Sequence, residues 1–181
     1  MKTSIKNIIM FILIVTVFSS CNYGETLQAY FVTHQEESNF ISVDIPTSFV
    51  KLNEEELTED QVEAYESIDK LNMLGYRLNT ENVNEFNVEL EKVKVILKDD
   101  RYQDLMRGGN TTDGRFVIKY IGDDDSIDEL ILFGSATDKG FAIVRVLGNN
   151  MKPEKIATLG NALQNATTDE NNVKEIMEFF Q

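Results

Sequence analysis

The second half of the chain carries the pattern that most constrains the fold, a series of short apolar segments separated by turns. These segments are residues 115–121, 127–133 and 141–147. In the first segment, Phe116, Ile118 and Tyr120 fall on one side because side chains alternate along a β-strand. Acidic and glycine-containing turns join the segments, and connections this short link antiparallel neighbours. The pattern therefore predicts an antiparallel meander.

Amphipathic helices account for much of the remaining chain. Residues 80–100 carry the strongest helical pattern, with a solvated surface that includes Glu89. Its predicted buried stripe is Val83, Phe86, Leu90, Val93 and Leu97. Further helices are predicted over residues 27–34, 46–52, 58–68, 153–163 and 173–180, and further strands over 40–45, 71–78 and 102–106. The fold class is accordingly α+β, a mainly antiparallel sheet with a C-terminal-half meander and helices packed on one face.

The beginning of the chain has the order of a bacterial secretory signal. Lys2 and Lys6 precede an apolar run over residues 8–18, and Ser19-Ser20-Cys21 follows it. A cysteine at the cleavage point indicates a lipoprotein signal, in which the Cys21 sulfur carries a diacylglycerol with acyl chains such as palmitate. The alternatives are an ordinary secreted protein with a buried thiol and an uncleaved anchor. The apolar run is, however, shorter than the roughly 20 residues of a membrane span.

These patterns divide the chain into four parts. We expect a signal peptide over residues 1–20, a tether over 21–26, the α+β domain over 27–165, and a polar break with a C-terminal amphipathic helix over 166–181. The apolar side of that last helix either packs on its own domain or docks a partner.

The composition excludes several classes of function. The chain has a net charge of −14, one histidine, and one cysteine that the lipid would occupy. Such acidity repels phosphate backbones, so nucleic acid is not an expected partner. Catalysis by a histidine-activated nucleophile needs an imidazole beside it, and zinc sites need several Cys or His ligands. We therefore expect no enzyme, no cofactor and no metal, with His34 a packed residue rather than a ligand.

Several local features have both a functional and a structural interpretation. Arg145 lies within an apolar strand, where it either forms an ion pair with Glu129 or Asp128 or binds an anionic ligand. Asp125-Ser126-Ile127 resembles a short acceptor for periplasmic O-glycosylation at Ser126, with a chance match as the alternative. The acidic stretch around these residues is expected to be a solvated turn rather than a calcium site. The glycine-rich residues 107–114 predict a hairpin turn, not a phosphate loop.

Four segments of the chain resemble a known family. They are residues 40–46, 71–76, 102–106 and 140–149. The chain is similar in these segments to a family of small lipoproteins of Bacteroidetes-type bacteria, domain of unknown function 4252. The resemblance implies a lipid-anchored α+β domain and brings no catalytic residues. In such bacteria an acidic stretch after the lipidated cysteine resembles a surface-export signal. Here only Glu25 is close to Cys21, so we expect a protein anchored in the outer membrane that faces the periplasm.

The expected function follows from the anchor and from the absence of a catalytic motif. We expect a lipid-anchored cell-envelope protein that acts as a non-catalytic interaction module. Its expected partners are the membrane, through the lipid at Cys21, and an envelope protein. The alternative is a small-ligand binding protein with a pocket near Arg145.

Overall fold

The computed structural model describes residues 24–47, 50–51, 57–110, 114–163 and 167–168. The helices are α1 (Leu27–His34), α2 (Glu59–Glu66), α3 (Val83–Ile96) and α4 (Pro153–Leu163). The strands are β1 (Phe40–Pro46), β2 (Val50–Lys51), β3 (Ile68–Arg77), β4 (Gln103–Asn110), β5 (Gly114–Asp123), β6 (Ser126–Ala136), β7 (Gly140–Met151) and β8 (Thr167–Thr168). The predicted α+β class is confirmed.

One six-stranded antiparallel sheet organises the domain, in the order β1-β3-β7-β6-β5-β4. Strands β4 to β7 follow one another in the chain and in the sheet, so the predicted meander is confirmed. β3 pairs with β7, the last strand of the meander, and β1 lies outside β3. β2 and β8 form a separate two-stranded sheet. The chain between β3 and β4 therefore crosses the sheet, and α3 makes that crossing.

Glycines allow the tight turns that end these strands. Gly140 begins β7 with φ at +128°, and a Cβ atom there would lie 1.9 Å from the Tyr76 carbonyl oxygen. A side chain at Gly140 would therefore break the close approach of β7 to β3. Gly114 begins β5 with φ at +127°, which fits a turn before it, whereas residues 107–110 of the predicted turn belong to β4.

Side chains from both faces of the sheet are buried. On the first face, which we call the helix face, strand residues such as Leu74 and Ile143 pack against α1 and α3. On the second face, which we call the open face, Leu130 and Val146 pack with Met151 and with Ile156 of α4. Burial of apolar area on both faces stabilises the sheet as the centre of the domain. Helices thus reach both faces: α1 and α3 cover the helix face, and α4 covers one end of the open face.

Helix α2 begins with a capping box and forms a group of ion pairs with the start of α4. The predicted capping box is present, since Thr58 and Gln61 exchange hydrogen bonds at the start of α2. From α2, the Glu63 carboxylate accepts hydrogen bonds from Lys152 at 2.8 Å and from Lys155. The hydrogen bond from Lys152 and, to a smaller extent, that from Lys155 lower the pKa of Glu63 to about 2.

Two predicted helix boundaries are wrong. Among the described residues of the helix expected over 46–52, Thr47 has a 3₁₀ conformation, whereas Pro46 ends β1 opposite Lys70 and residues 50–51 form β2. The helix expected over 58–68 ends at Glu66, and Ile68 already belongs to β3. In both places strand pairing with distant residues overrides the local helical pattern. The helix predicted over residues 173–180 lies outside the described residues.

The predicted stripe of α3 is correct for Phe86, Val93 and Leu97, which are buried. Val83 is exposed instead, because it opens the first turn of the helix. Glu89 is buried rather than solvated, because polar groups of α1 reach it.

Candidate interaction site

The sequence-predicted site residues do not meet in one place. Cys21 lies outside the described residues. Ser126 begins β6, where its hydroxyl donates a hydrogen bond to Asn150 Oδ1 at 2.7 Å, at the end of the sheet. Arg145 lies in the middle of β7 on the helix face, remote from that turn along the strand.

Arg145 forms a buried ion pair with Glu129. Its Nε and Nη2 donate to the two oxygens of the Glu129 carboxylate at 2.6 and 2.9 Å, and both side chains are buried. The guanidinium also lies over the Phe31 ring, 5.2 Å from its centroid. This bidentate geometry uses one edge of the guanidinium for an internal partner.

A second buried cation, Lys119, lies on the same face of the sheet. Its Nζ donates to the Tyr102 carbonyl oxygen at 2.7 Å and to Asp104 Oδ1 at 2.8 Å. The bond from Lys119 holds the pKa of the Asp104 carboxyl below its usual range. Sequence reasoning did not single out Lys119, although its alternation with Val117 and Ile121 was the available signal. Both buried cations therefore pair with internal acceptors in or beside the sheet, which lie in β6, in β4 and just before β4.

His34 belongs to a polar cluster between α1 and α3. Its Nδ1 lies 2.7 Å from Glu37 Oε2, and its Nε2 lies 3.6 Å from Glu89 Oε2. The Tyr30 hydroxyl donates to Glu89 at 2.9 Å, and Lys92 donates to the other Glu89 oxygen at 2.6 Å. Burial raises the pKa of Tyr30, and the hydrogen bond to Glu89 raises it further. Tyr30 therefore acts as a hydrogen-bond donor here, and Glu89 is the acceptor at the centre of the cluster.

Aromatic rings enclose that cluster from the sheet side. The His34 ring stacks on Phe40 with centroids 4.7 Å apart, and Phe40 meets Tyr76 edge to face at 4.8 Å. The Tyr76 hydroxyl is buried without a hydrogen-bond partner in the described part of the chain. Burial, followed by the negative charge of Glu85, raises the pKa of Tyr76 to about 12. Within this arrangement His34 is a packed aromatic residue.

The open face of the sheet carries a row of apolar side chains that crosses all six strands. Strand pairing places its members directly opposite one another, from β1 to β4: Val43, Met73, Val144, Leu132, Ile118 and Met106. The next row along the strands contains small residues, with Gly75, Ala142, Gly134 and Gly108 in register with Phe116. The Phe116 ring lies over Gly108, since a Cβ atom there would be 2.7 Å from it. The surface of the sheet at this end is therefore apolar, and its small side chains keep it low around Phe116.

Part of this apolar surface is exposed to solvent. Met106 is 53% exposed, Phe116 43% and Leu132 37%, and Ile118 lies half-buried among them. We call these four residues the docking face. Isolated exposed apolar residues are common on protein surfaces, but adjacent large ones mark sites of interaction. The docking face extends to β4, an edge strand of this sheet whose outer backbone groups have no partner strand in the described sheet.

The outer surface of α3 carries an open groove of about 780 Å³ on the other side of the domain. Gly24 and Glu25 form its wall together with α3 residues that include Val88, Lys92 and Val95. The groove is shallow, and it lies where the described chain begins.

The described residues contain no cluster of metal-ligating side chains and no helix suited to a membrane span. Within those residues, no three His, Cys, Asp or Glu side chains are placed to hold a metal ion. None of the helices in the described ranges is both long enough and apolar enough to cross a membrane.

These features define a class of protein, an α+β domain in which helices cover one face of an antiparallel sheet and part of the other face stays open. The chain belongs to the family described as a domain of unknown function (DUF4252), whose model matches residues 30–159. This match runs from α1 into α4 and confirms the predicted resemblance to this domain family, while the lipoprotein and bacterial-group parts of that resemblance stay predictions. No curated protein and no solved structure matches the chain significantly.

Proposed function

We propose that this chain is a lipid-anchored protein of the bacterial cell envelope whose domain is a non-catalytic interaction module. The docking face is the observation that carries the proposal. Its apolar side chains lie beside one another on a rigid sheet, and burying them against a partner would remove them from water. The partner we propose is an envelope protein with an apolar surface that complements Phe116 and Leu132.

The order of residues 1–21 supports the proposed location of the protein in the cell envelope. The positive start, the apolar run and the cysteine after two serines are the features on which lipid attachment at Cys21 rests. Two or three acyl chains give stable membrane attachment, because each buried CH₂ contributes about 0.8 kcal/mol. We place the domain in the periplasm on the outer membrane, since the stretch after Cys21 has only Glu25 as an acidic residue.

Two experiments test the parts of this proposal separately. Metabolic labelling with an alkyne fatty acid should mark the wild-type protein and not the Cys21→Ala variant. Equal labelling of both would refute the anchor. Protease treatment of intact cells tests the location. Removal of the domain by the protease would refute the periplasmic location.

Crosslinking in the native membrane tests the interaction module. A discrete partner should crosslink to the wild type and be lost from Phe116→Ser and Leu132→Ser. Val83→Ser is the matched control, because Val83 is 46% exposed but lies on α3, away from the open face. Recovery of the same partner from all four proteins in equal amounts would refute the role of the docking face.

A further inference from the structure

We propose that the outer surface of α3 beside Gly24 rests on the lipid bilayer, so that the docking face points away from the membrane. This inference rests on the proposed function, since it requires lipid on Cys21. It adds a second contact surface whose partner is the bilayer interface itself. The residues of this membrane-facing surface are Gly24, Val88, Lys92, Val95 and Lys98.

The length of the tether restricts where the bilayer can be. Cys21 precedes Gly24 by three positions in the chain. An extended chain spans at most about 3.6 Å per residue, so Gly24 lies within roughly 11 Å of the lipidated residue. Because Gly24 is part of the groove wall, the groove must lie next to the headgroups. A tether this short therefore keeps the surface around Gly24 close to the bilayer.

Two exposed valines indicate which surface turns toward the lipid. Val88 is 56% exposed and Val95 is 64% exposed, although both belong to a helix whose other side is packed on the sheet. They are seven positions apart, two helical turns, and so lie on the same side of α3. The buried residues Phe86 and Val93 face the sheet, so the valines face away from it. Apolar side chains on the outer side of an amphipathic helix enter the boundary between headgroups and acyl chains.

The charges of this surface permit contact with a bilayer. The groove is lined by Lys92 and Lys98 and by the acids Glu25, Glu91 and Asp99. These charges nearly balance, whereas the whole chain has a net charge of −14. Lysine side chains can lay their carbon stems along apolar surface while their ammonium groups meet headgroup phosphates. The outer surface of α3 is thus one on which an acidic protein can approach a membrane without strong repulsion.

Site-specific quenching in reconstituted vesicles tests the orientation. The lipidated protein, with Val88→Cys or Leu132→Cys labelled by a polarity-sensitive fluorophore, is incorporated into phosphatidylcholine vesicles that contain a doxyl-labelled phosphatidylcholine. Acylation of Cys21 leaves the introduced thiol as the single labelling site. Both positions are exposed, so neither label disturbs the core. We expect quenching at position 88 to exceed that at position 132 at least threefold, and position 95 to behave like position 88.

The outcomes separate this inference from the proposed function. Mass spectrometry of the mature N-terminus and flotation of the vesicles report whether the anchor is present. Anchored protein with equal quenching at positions 88 and 132, or stronger quenching at 132, overturns the orientation and leaves the anchor intact. A mature N-terminus without lipid overturns both.

Discussion

The buried pair between Arg145 and Glu129 gives a prediction that can be worked out from the geometry. We consider Glu129→Leu, Arg145→Met and the double variant. In Glu129→Leu the guanidinium stays buried and loses both acceptor oxygens, which lie 2.6 and 2.9 Å from its nitrogens. Removing one partner of a buried pair costs about 3–5 kcal/mol, because the remaining charge is uncompensated.

The double variant removes both charges and should recover most of this loss. Replacing a buried pair by apolar side chains of similar volume is often neutral or stabilising. The methionine at position 145 would also keep a contact with the Phe31 ring, since sulfur–aromatic contacts contribute about 0.3–1.5 kcal/mol. We therefore expect the double variant within about 1 kcal/mol of the wild type. Since each single variant should lose about 3–5 kcal/mol, the coupling energy between the two positions should be at least about 5 kcal/mol.

Urea unfolding of the unanchored chain, lacking residues 1–20 and carrying Cys21→Ala, measures these free energies. A loss of 3–5 kcal/mol also lowers the melting temperature by about 10 °C, at roughly 2–4 °C per kcal/mol for a domain of this size. Glu91→Leu is the matched control, because Glu91 pairs with Lys94 at 2.7 Å on the exposed side of α3. It should leave the urea midpoint nearly unchanged, because solvent screens an exposed ion pair. Additive effects in the cycle, or a Glu129→Leu chain as stable as Glu91→Leu, would refute the reasoning.

Other positions give further predictions. Glu63→Gln should lower the melting temperature slightly at pH 6, because the charged Glu63 carboxylate stabilises the fold. This difference should vanish as the pH falls from 4.5, the ordinary pKa of a glutamate, toward 2, the pKa of Glu63 in the fold. A difference independent of pH contradicts this. Gly140→Ala should cost at least about 2 kcal/mol, since its φ is +128° and the Tyr76 oxygen leaves no room for a Cβ atom; an unchanged urea midpoint would count against it. Tyr76→Phe should stabilise the domain by about 1 kcal/mol, because it removes a buried hydroxyl without a partner; destabilisation by thermal melting would indicate a hydrogen bond there.

The sequence predicts those parts of the fold that depend on local pattern. The meander follows from alternation in segments such as residues 115–121 and from the short turns between them. The pairing of β3 with β7 cannot be predicted in this way, because the residues of a strand do not determine which strand it pairs with. The helix expected after Pro46 fails for the same reason, since its residues pair with distant strands.

The polar residues of the helix face show a second limit. Alternation puts Lys119 and Arg145 on defined sides of their strands, but it does not say which side the helices cover. The sequence pattern predicts a solvated Glu89 because the Tyr30 hydroxyl, which donates to its carboxylate, becomes a neighbour only when α1 packs on α3. The docking face was not foreseen for a related reason. Its residues look like ordinary core residues, and only the final arrangement shows that no described helix covers Phe116 and Met106.

The position of β3 between β1 and β7 affects the order in which the domain can assemble. Leu71 pairs with Val146, so the pairing that completes the sheet joins the two ends of the domain. Pairings between residues so far apart in the chain form slowly, because a large loop must close before they contribute stability. Until β7 pairs with it, β3 presents the apolar side chains of Leu74 and Tyr76 without that neighbour strand. The domain therefore holds an aggregation-prone segment that stays unprotected until its last long strand is in place.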